Sequence, residues 1–316
     1  MKIAVLFPGQ GSQAIGMGSE FIHTLPQCRS VMETAESVCD FELGKIIAEG
    51  PMEELTRAAV LQPAITVTNL ICLTALQSAL PEKIEIYCYA GHSLGEYSAL
   101  CGAGVLAVED TIRLVERRGF FIEREGKTNP GAMRAILGLD IDAVEQAVAS
   151  YSGPGVATVA NYNTPQQIVI SGSVDALDAL SADLEAQGGK VIALNVSVAN
   201  HSPLVSEAVP DFAAFLEDIE FKAPQCPVYF NVTAQPQTEP ALIKEMMARQ
   251  IASRVRWYEI ITAMLGDGVD TFIEVGPKTV LKGMMRKIVP KGTQVNTLQF
   301  DTPAALQSCL EKIGAA

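Results

Sequence analysis

The pentapeptide GHSLG at 91–95 carries residue types suited to covalent chemistry. It has the form G-x-S-x-G, with a buried-strand pattern before it (IEIYCYA, 84–90) and a helical pattern after it. In that context the serine stands on a sharp strand-to-helix turn, at the carboxyl end of the strand and near the positive end of the helix. Ser93 is the candidate nucleophile. A serine hydroxyl needs a base, and histidine titrates in the right range. The chain has three histidines. His92 adjoins Ser93 on the tight turn, so its side chain should point away. His23 falls in an early helical segment beside Phe21 and Ile22. His201, in VSVANHSPLV, follows a strand on a loop where two subdomains would meet. It is the candidate base by elimination.

The tetrahedral intermediate of acyl transfer carries an oxyanion that backbone amides usually hold. One amide comes from the residue after the nucleophile, here Leu94. A second must come from another strand-end loop. FPGQGSQ at 7–13 offers Gln10, held between two glycines. As a nucleotide loop this stretch fails: it has no G-x-x-x-x-G-K-[ST] lysine and misses the last glycine of G-x-G-x-x-G. In TIRLVERRGFF (111–121), Arg113 and Arg117 are four residues apart and read as a solvated face. Arg118 is one step, about 100°, further round. Spacing alone leaves its burial open. A buried arginine there would hold a carboxylate with its planar fork.

These residues need elements to position them. Ile3–Phe7 reads as a buried strand, and 19–80 as mostly helical, with Ala64–Leu80 an apolar helix crossing the core. Pro227–Val232 and Thr271–Val275 read as further strands, the second followed by a helical pattern. Strands alternating with helices imply a parallel α/β sheet. The middle differs: strand Ala132–Leu139, helix Ile141–Ser150, strands Val156–Asn161 and Gln167–Ser171, helix Val174–Gln187, strand Lys190–Val196. That order, β-α-β-β-α-β, is the ferredoxin-like unit. The expected organisation is a large α/β-hydrolase-like domain, 1–127 and 198–316, with a small α+β subdomain, 128–197, inserted.

With 316 residues, 48% of them apolar, the chain can bury a full core. A net charge of −13 argues against nucleic-acid binding. The seven cysteines form no C-x-x-C pair and sit mostly in apolar runs, which suggests free buried thiols in a reducing compartment. No metal site is expected from so few histidines. The N-terminal apolar run is too short for a signal peptide, and no polar-free stretch is long enough to span a bilayer. A cytoplasmic protein with no membrane association is expected.

Taken together, the motifs resemble the malonyl-CoA:acyl carrier protein transacylases and the acyltransferase domains of polyketide synthases. The likeness runs nearly end to end: FPGQGSQ at 7–13, QPA at 62–64, AGHSLGEYSAL at 90–100, RG at 118–119, GAM at 131–133, N-x-P-x-Q-x-V-I-S-G at 163–172, VSVANH at 196–201, RQ at 249–250 and EVGP at 274–277. The resemblance implies a malonyl-serine intermediate on Ser93, His201 as general acid–base, and an imidazole oriented by a backbone carbonyl near Gln250. It also implies an oxyanion hole from the amides of Gln10 and Leu94, Arg118 on the malonyl carboxylate, and Gln62 at a polar position near the pocket. Malonyl-CoA would be a substrate, acyl carrier protein the partner, no cofactor would be required, and the enzyme would be a monomer. Three positions depart from the family pattern: Asn200 and Val205, expected at the acyl pocket, and Arg134, expected on an exposed strand face.

An acidic carrier would need a local basic patch on this acidic chain. KTVLKGMMRKIVPK offers Lys282 and Arg286 on one helix face with Lys287 beside them, which reads equally as a docking site or a solvated helix end. Other readings are a trans-acting polyketide acyltransferase, an acyl hydrolase that admits water, or a non-catalytic carrier-binding subunit. Arg118 argues against the hydrolase and the Ser93–His201 pair against the subunit.

Overall fold

The computed structural model describes residues 1–196 and 198–314. Ser197, at the expected subdomain boundary, and Ala315 and Ala316 lie outside the described residues. In chain order the elements begin with β1 (Ile3–Phe7), α1 (Ser19–Thr24), α2 (Pro26–Val38), α3 (Leu43–Glu49), α4 (Met52–Leu55) and α5 (Ala58–Ala79). There follow β2 (Ile86–Gly91), α6 (Gly95–Gly102), α7 (Val108–Thr128), β3 (Ala132–Leu137), α8 (Ile141–Ser150), β4 (Ala157–Thr164), β5 (Gln167–Gly172), α9 (Val174–Ala186) and β6 (Lys190–Ala193). A 3-10 turn (Pro203–Val205) leads to α10 (Ala208–Glu217), β7 (Val228–Tyr229), α11 (Pro240–Gln250), α12 (Trp257–Gly266), β8 (Thr271–Val275), α13 (Val280–Ile288), β9 (Asn296–Phe300) and α14 (Pro303–Lys312).

Two sheets form. One is parallel, in the order β7-β2-β1-β8-β9, and the other is antiparallel, in the order β4-β5-β3-β6. The central parallel strands are buried where helices cover both faces: every residue of β1 and β8 is buried, the polar Thr271 and Glu274 of β8 included. Apolar clusters lie on each side, one built on α2, α5 and α7 and one on α12 and α13. The antiparallel sheet has its own core under α8 and α9, from Ile136, Val144, Ile168, Ile170, Leu177 and Leu184. The antiparallel sheet is tied to the segment before α12, where Tyr162 donates to the Val255 carbonyl and Val255 donates to that of Ala160.

The helix expected from Ala64 begins at Ala58 and runs through Pro63. Its length and a mean hydropathy of 1.7 suit a bilayer span, but 89% of that window is buried inside the fold. Packing against α7, with Gly119 close on the Ala58 carbonyl and Ala59 Cα, overrides the proline as a start signal. The strand expected over Pro227–Val232 shrinks to two residues, because the chain turns back at once: Ala234 donates to the Phe230 carbonyl, and Phe230 to that of Gln235. β9 and α14 were not anticipated; β9 is a short edge strand with exposed or half-buried polar positions.

Candidate active site

Ser93 takes φ 50°, the left-handed turn expected of a nucleophile at a strand-to-helix corner. Close approach explains the two flanking glycines. A Cβ at Gly91 would stand 1.9 Å from the Gly95 carbonyl carbon, and one at Gly95 would stand 2.1 Å from the Phe7 carbonyl oxygen. Both peptide groups of the serine are held. Its N–H donates to Asn231 Oδ1 at 2.7 Å, and its carbonyl accepts from Gln250 Nε2 at 2.7 Å. Asn231 Nδ2 in turn donates to the Gly91 carbonyl at 2.7 Å.

His201 is the partner of the serine. Its Nε2 is 2.7 Å from Ser93 Oγ. Its Nδ1 faces two carbonyl oxygens, Ser253 at 2.7 Å and Gln250 at 3.2 Å. Carbonyls only accept, so Nδ1 carries the proton and Nε2 is left bare to accept from the hydroxyl. The expected carbonyl near Gln250 is therefore a pair, with Ser253 the closer. His201 itself has φ 59°, so both residues of the pair sit on left-handed backbone. Burial, followed by the Arg118 charge, pushes the imidazole down to about 3, so it rests neutral and ready to accept a proton. The other histidines are elsewhere. His92 turns away to place Nε2 2.7 Å from Asn163 Oδ1, edge-on to Trp257, and His23 is exposed on α1.

The structure resolves the orientation of the α7 arginines. Arg113 pairs with Asp110, and Arg117 with Glu116, on the outer face. Arg118 points inward and is 2% exposed. Its Nη1 donates to Gln62 Oε1 at 2.5 Å, and its Nη2 to Gln250 Oε1 at 3.0 Å and to Ser93 Oγ at 3.2 Å. All three acceptors are neutral. The ring of Tyr97 lies 5.6 Å from the guanidinium carbon. Burial lowers the Arg118 pKa, with Tyr97 and Glu96 opposing.

Gln10 and Leu94 end up side by side because their strands are neighbours. β1 and β2 pair in parallel with Phe7 opposite Gly91, and His92 donates to the Phe7 carbonyl at 3.0 Å. A Cβ at Gly9 would stand 2.5 Å from the His92 carbonyl and 3.5 Å from the Leu94 nitrogen, so the loop lies against the elbow. Among the described residues, neither the Gln10 nor the Leu94 amide donates to a protein acceptor. A cavity of about 310 Å³ opens over these groups, lined by Gln10, Ser93 and His201 from the parallel-sheet side, Asn161 and Asn163 from β4, and Met284 from α13.

Of the departing positions, Asn200 lines this cavity, whereas Val205 is buried with Ile122, Val198 and Ile251. Arg134 is not on an exposed face. It shares with Ala132 and Ile136 the side of β3 that α9 covers, and it pairs with Asp178 there. Among the described residues, no group of three or more His, Cys, Asp or Glu side chains is arranged to hold a metal ion.

Sequence reasoning missed Asn231 and Glu96. Asn231 was hidden inside an expected strand. Glu96 left a signal, being the one charged residue between Glu85 and Glu109. It is completely buried. Its Oε1 accepts from the Asn231 N–H at 2.6 Å, and its Oε2 from Gln250 Nε2 at 2.7 Å.

A serine activated by a neutral histidine, beside two unpaired amides, is arranged for acyl transfer, and comparison with known proteins agrees. The malonyl CoA-acyl carrier protein transacylase of Bacillus subtilis (strain 168) is 37% identical over 315 residues, 99% of this chain and 97% of that protein. Its namesake in Escherichia coli (strain K12) is 34% identical over 311 residues, 98% and 99% of the two chains. Among solved structures, an acyl carrier protein S-malonyltransferase from Vibrio cholerae superposes with a TM-score of 0.92 at 34% identity, covering 98% of this chain and 100% of that one. A type II PKS acyl-carrier protein in complex with its malonyl-transacylase matches with a TM-score of 0.93 at 33% identity, covering 99% and 100%. Residues 5–302 match the acyl transferase domain model, and the chain belongs to that family, alongside the malonyl CoA-acyl carrier protein transacylases.

Proposed function

We propose that this enzyme moves a malonyl group from malonyl-CoA to the phosphopantetheine thiol of acyl carrier protein, in fatty acid biosynthesis, through a malonyl ester on Ser93. The observation that carries this reading is Arg118: a buried guanidinium 3.2 Å from the nucleophile whose hydrogen bonds all go to neutral groups. A buried cation without a carboxylate partner is costly, and the free carboxylate of a malonyl group supplies one. Gln62 and Gln250 hold the fork in place.

In the first half-reaction, Ser93 Oγ attacks the thioester carbonyl as its proton passes to His201 Nε2. The amides of Gln10 and Leu94 hold the oxyanion, the C–S bond breaks, and His201 returns the proton to the departing thiolate. In the second, the carrier thiol gives its proton to His201 and its sulfur attacks the malonyl ester. The C–O bond breaks and Ser93 Oγ is reprotonated. Ser253 and Gln250 carbonyls steady the imidazolium in place of a carboxylate. No resident cofactor or metal takes part.

The chain is read as a hydrolase-like α/β domain, 1–127 and 198–316, carrying a ferredoxin-like subdomain, 128–197. The strand order β4-β5-β3-β6 with α8 and α9 on one face supports the second term. Seven free cysteines, five of them buried, suit a reducing cytoplasm. Incubating the enzyme with malonyl-CoA and then with holo carrier protein tests the reading by intact mass. A malonyl adduct should form on the enzyme and pass to the carrier; release of free malonate with no carrier present would instead mark a hydrolase.

The carrier is assigned to α13. Val280, Leu281 and Met284 of this helix line the cavity, while Arg286 and Lys287 are exposed and Lys282 half-buried. Among the described residues, none of the three cations pairs with an acid. The buried Glu274 of EVGP fixes the helix start by accepting from the Leu281 and Lys282 amides at 2.9 and 2.8 Å. Reversing charge at Lys282 and Arg286 together should raise the carrier KM roughly 10-fold and leave the malonyl-CoA KM alone. An unchanged carrier KM would move docking off α13.

A further inference from the structure

Glu96 has no role in the mechanism above, yet it is a fully buried carboxylate three residues past the nucleophile, and among the described residues it has no ion-pair partner within 4 Å. Its two oxygens are spent on two groups that grip Ser93 from opposite ends. Oε1 accepts from the backbone of Asn231, whose side chain holds the serine N–H. Oε2 accepts from Gln250, which holds the serine carbonyl. The second contact decides how the Gln250 amide faces. Its NH₂ group meets two acceptors, the Glu96 carboxylate and the Ser93 carbonyl, so its oxygen is left to face Arg118. If the amide turned over, its NH₂ would confront the guanidinium and its oxygen would confront the carboxylate.

We propose that Glu96 is a positioning residue: by fixing the Gln250 amide it aims the Arg118 fork at the acyl group on Ser93, and so sets the preference for dicarboxylic over simple acyl thioesters. The inference rests on the malonyl reading of Arg118. The charge arrangement is consistent with it. Arg118 from α7 and Tyr97 from α6 are the titratable groups that act on Glu96, while Asn231 and Gln250 present neutral donors. Two N–H donors suit the ionised carboxylate. Burial nevertheless raises the Glu96 pKa to about 7. Below that pH the acid form predominates, and its O–H would meet a donor from Asn231 or Gln250.

The test is the ratio of kcat/KM for malonyl-CoA to that for acetyl-CoA. Both are measured on one enzyme sample, so a loss of folded protein cancels. Glu96→Gln should lower the ratio at least tenfold at pH 8, and Glu96→Asp, which keeps the charge but shortens the reach, should lower it less. A ratio within twofold of wild type in Glu96→Gln would overturn the proposal, whatever happens to total activity. Wild-type enzyme gives a second arm that needs no variant: its ratio should fall at least threefold from pH 8 to pH 6, and a flat ratio would count against Glu96. A wild-type ratio near one would instead overturn the malonyl reading itself.

Discussion

Ser93→Ala should abolish the covalent intermediate: after incubation with malonyl-CoA the intact mass should stay at that of the free protein. Transfer to carrier should fall by about 10⁴-fold or more, the scale of losing a nucleophile that works with its base as one unit. The fold should survive. Alanine accepts the same left-handed backbone no worse than serine does, and the elbow is held through the backbone groups of residue 93, by Asn231 and Gln250. Among the described residues, the side chain hydrogen-bonds only to His201 and Arg118. A thermal melt close to wild type with no adduct is the expected pair of results. A malonyl adduct on the variant would remove Ser93 from the nucleophile's place.

The second large effect is expected at Arg118. Arg118→Ala takes the only donor from Gln62 Oε1 and Gln250 Oε1 described here, and leaves a malonyl carboxylate with no cation in a buried site. An unpaired charge of that kind costs about 3–5 kcal/mol. The malonyl-CoA to acetyl-CoA ratio of kcat/KM should therefore drop by roughly 100-fold or more. Arg118→Lys should not restore it, because an ammonium cannot donate in parallel to Gln62, Gln250 and both carboxylate oxygens. An unchanged ratio in Arg118→Ala would show that the arginine does not read the carboxylate.

Much of this site was legible in sequence because its parts are local. A pentapeptide with a strand before it and a helix after it specifies an elbow, and three histidines reduce to one by position. Arg118 was legible only through the family resemblance, not from its spacing. Its helix carries four arginines, three of them within six residues, and only packing against α5 and Tyr97 shows which one turns inward. Asn231 was invisible for a different reason: its partner Ser93 is 138 residues away, and nothing in FNVTA marks an asparagine aimed at a nucleophile. The fold followed the same division. Strands buried on both faces, such as β1 and β8, were placed to the residue. The short β7 and the edge strand β9 were misjudged or missed, since their extent is set by neighbours rather than by their own pattern.

The pairing of Phe7 with Gly91 has a consequence for the reacting oxygen. Gln10 lies three residues beyond Phe7, and Leu94 three beyond Gly91, so the two amides leave adjacent strands at equal steps. Neighbouring strands run about 4.8 Å apart. An oxygen about 2.9 Å from two donors, with a near-tetrahedral angle between them, needs those donors roughly 4.8 Å apart as well. On the proposed mechanism the ladder of the sheet thus acts as a gauge for the intermediate, set chiefly by backbone pairing. Side chains around the cavity can change, and acyl groups with them, while that gauge stays fixed. A single residue added to either turn would lose it.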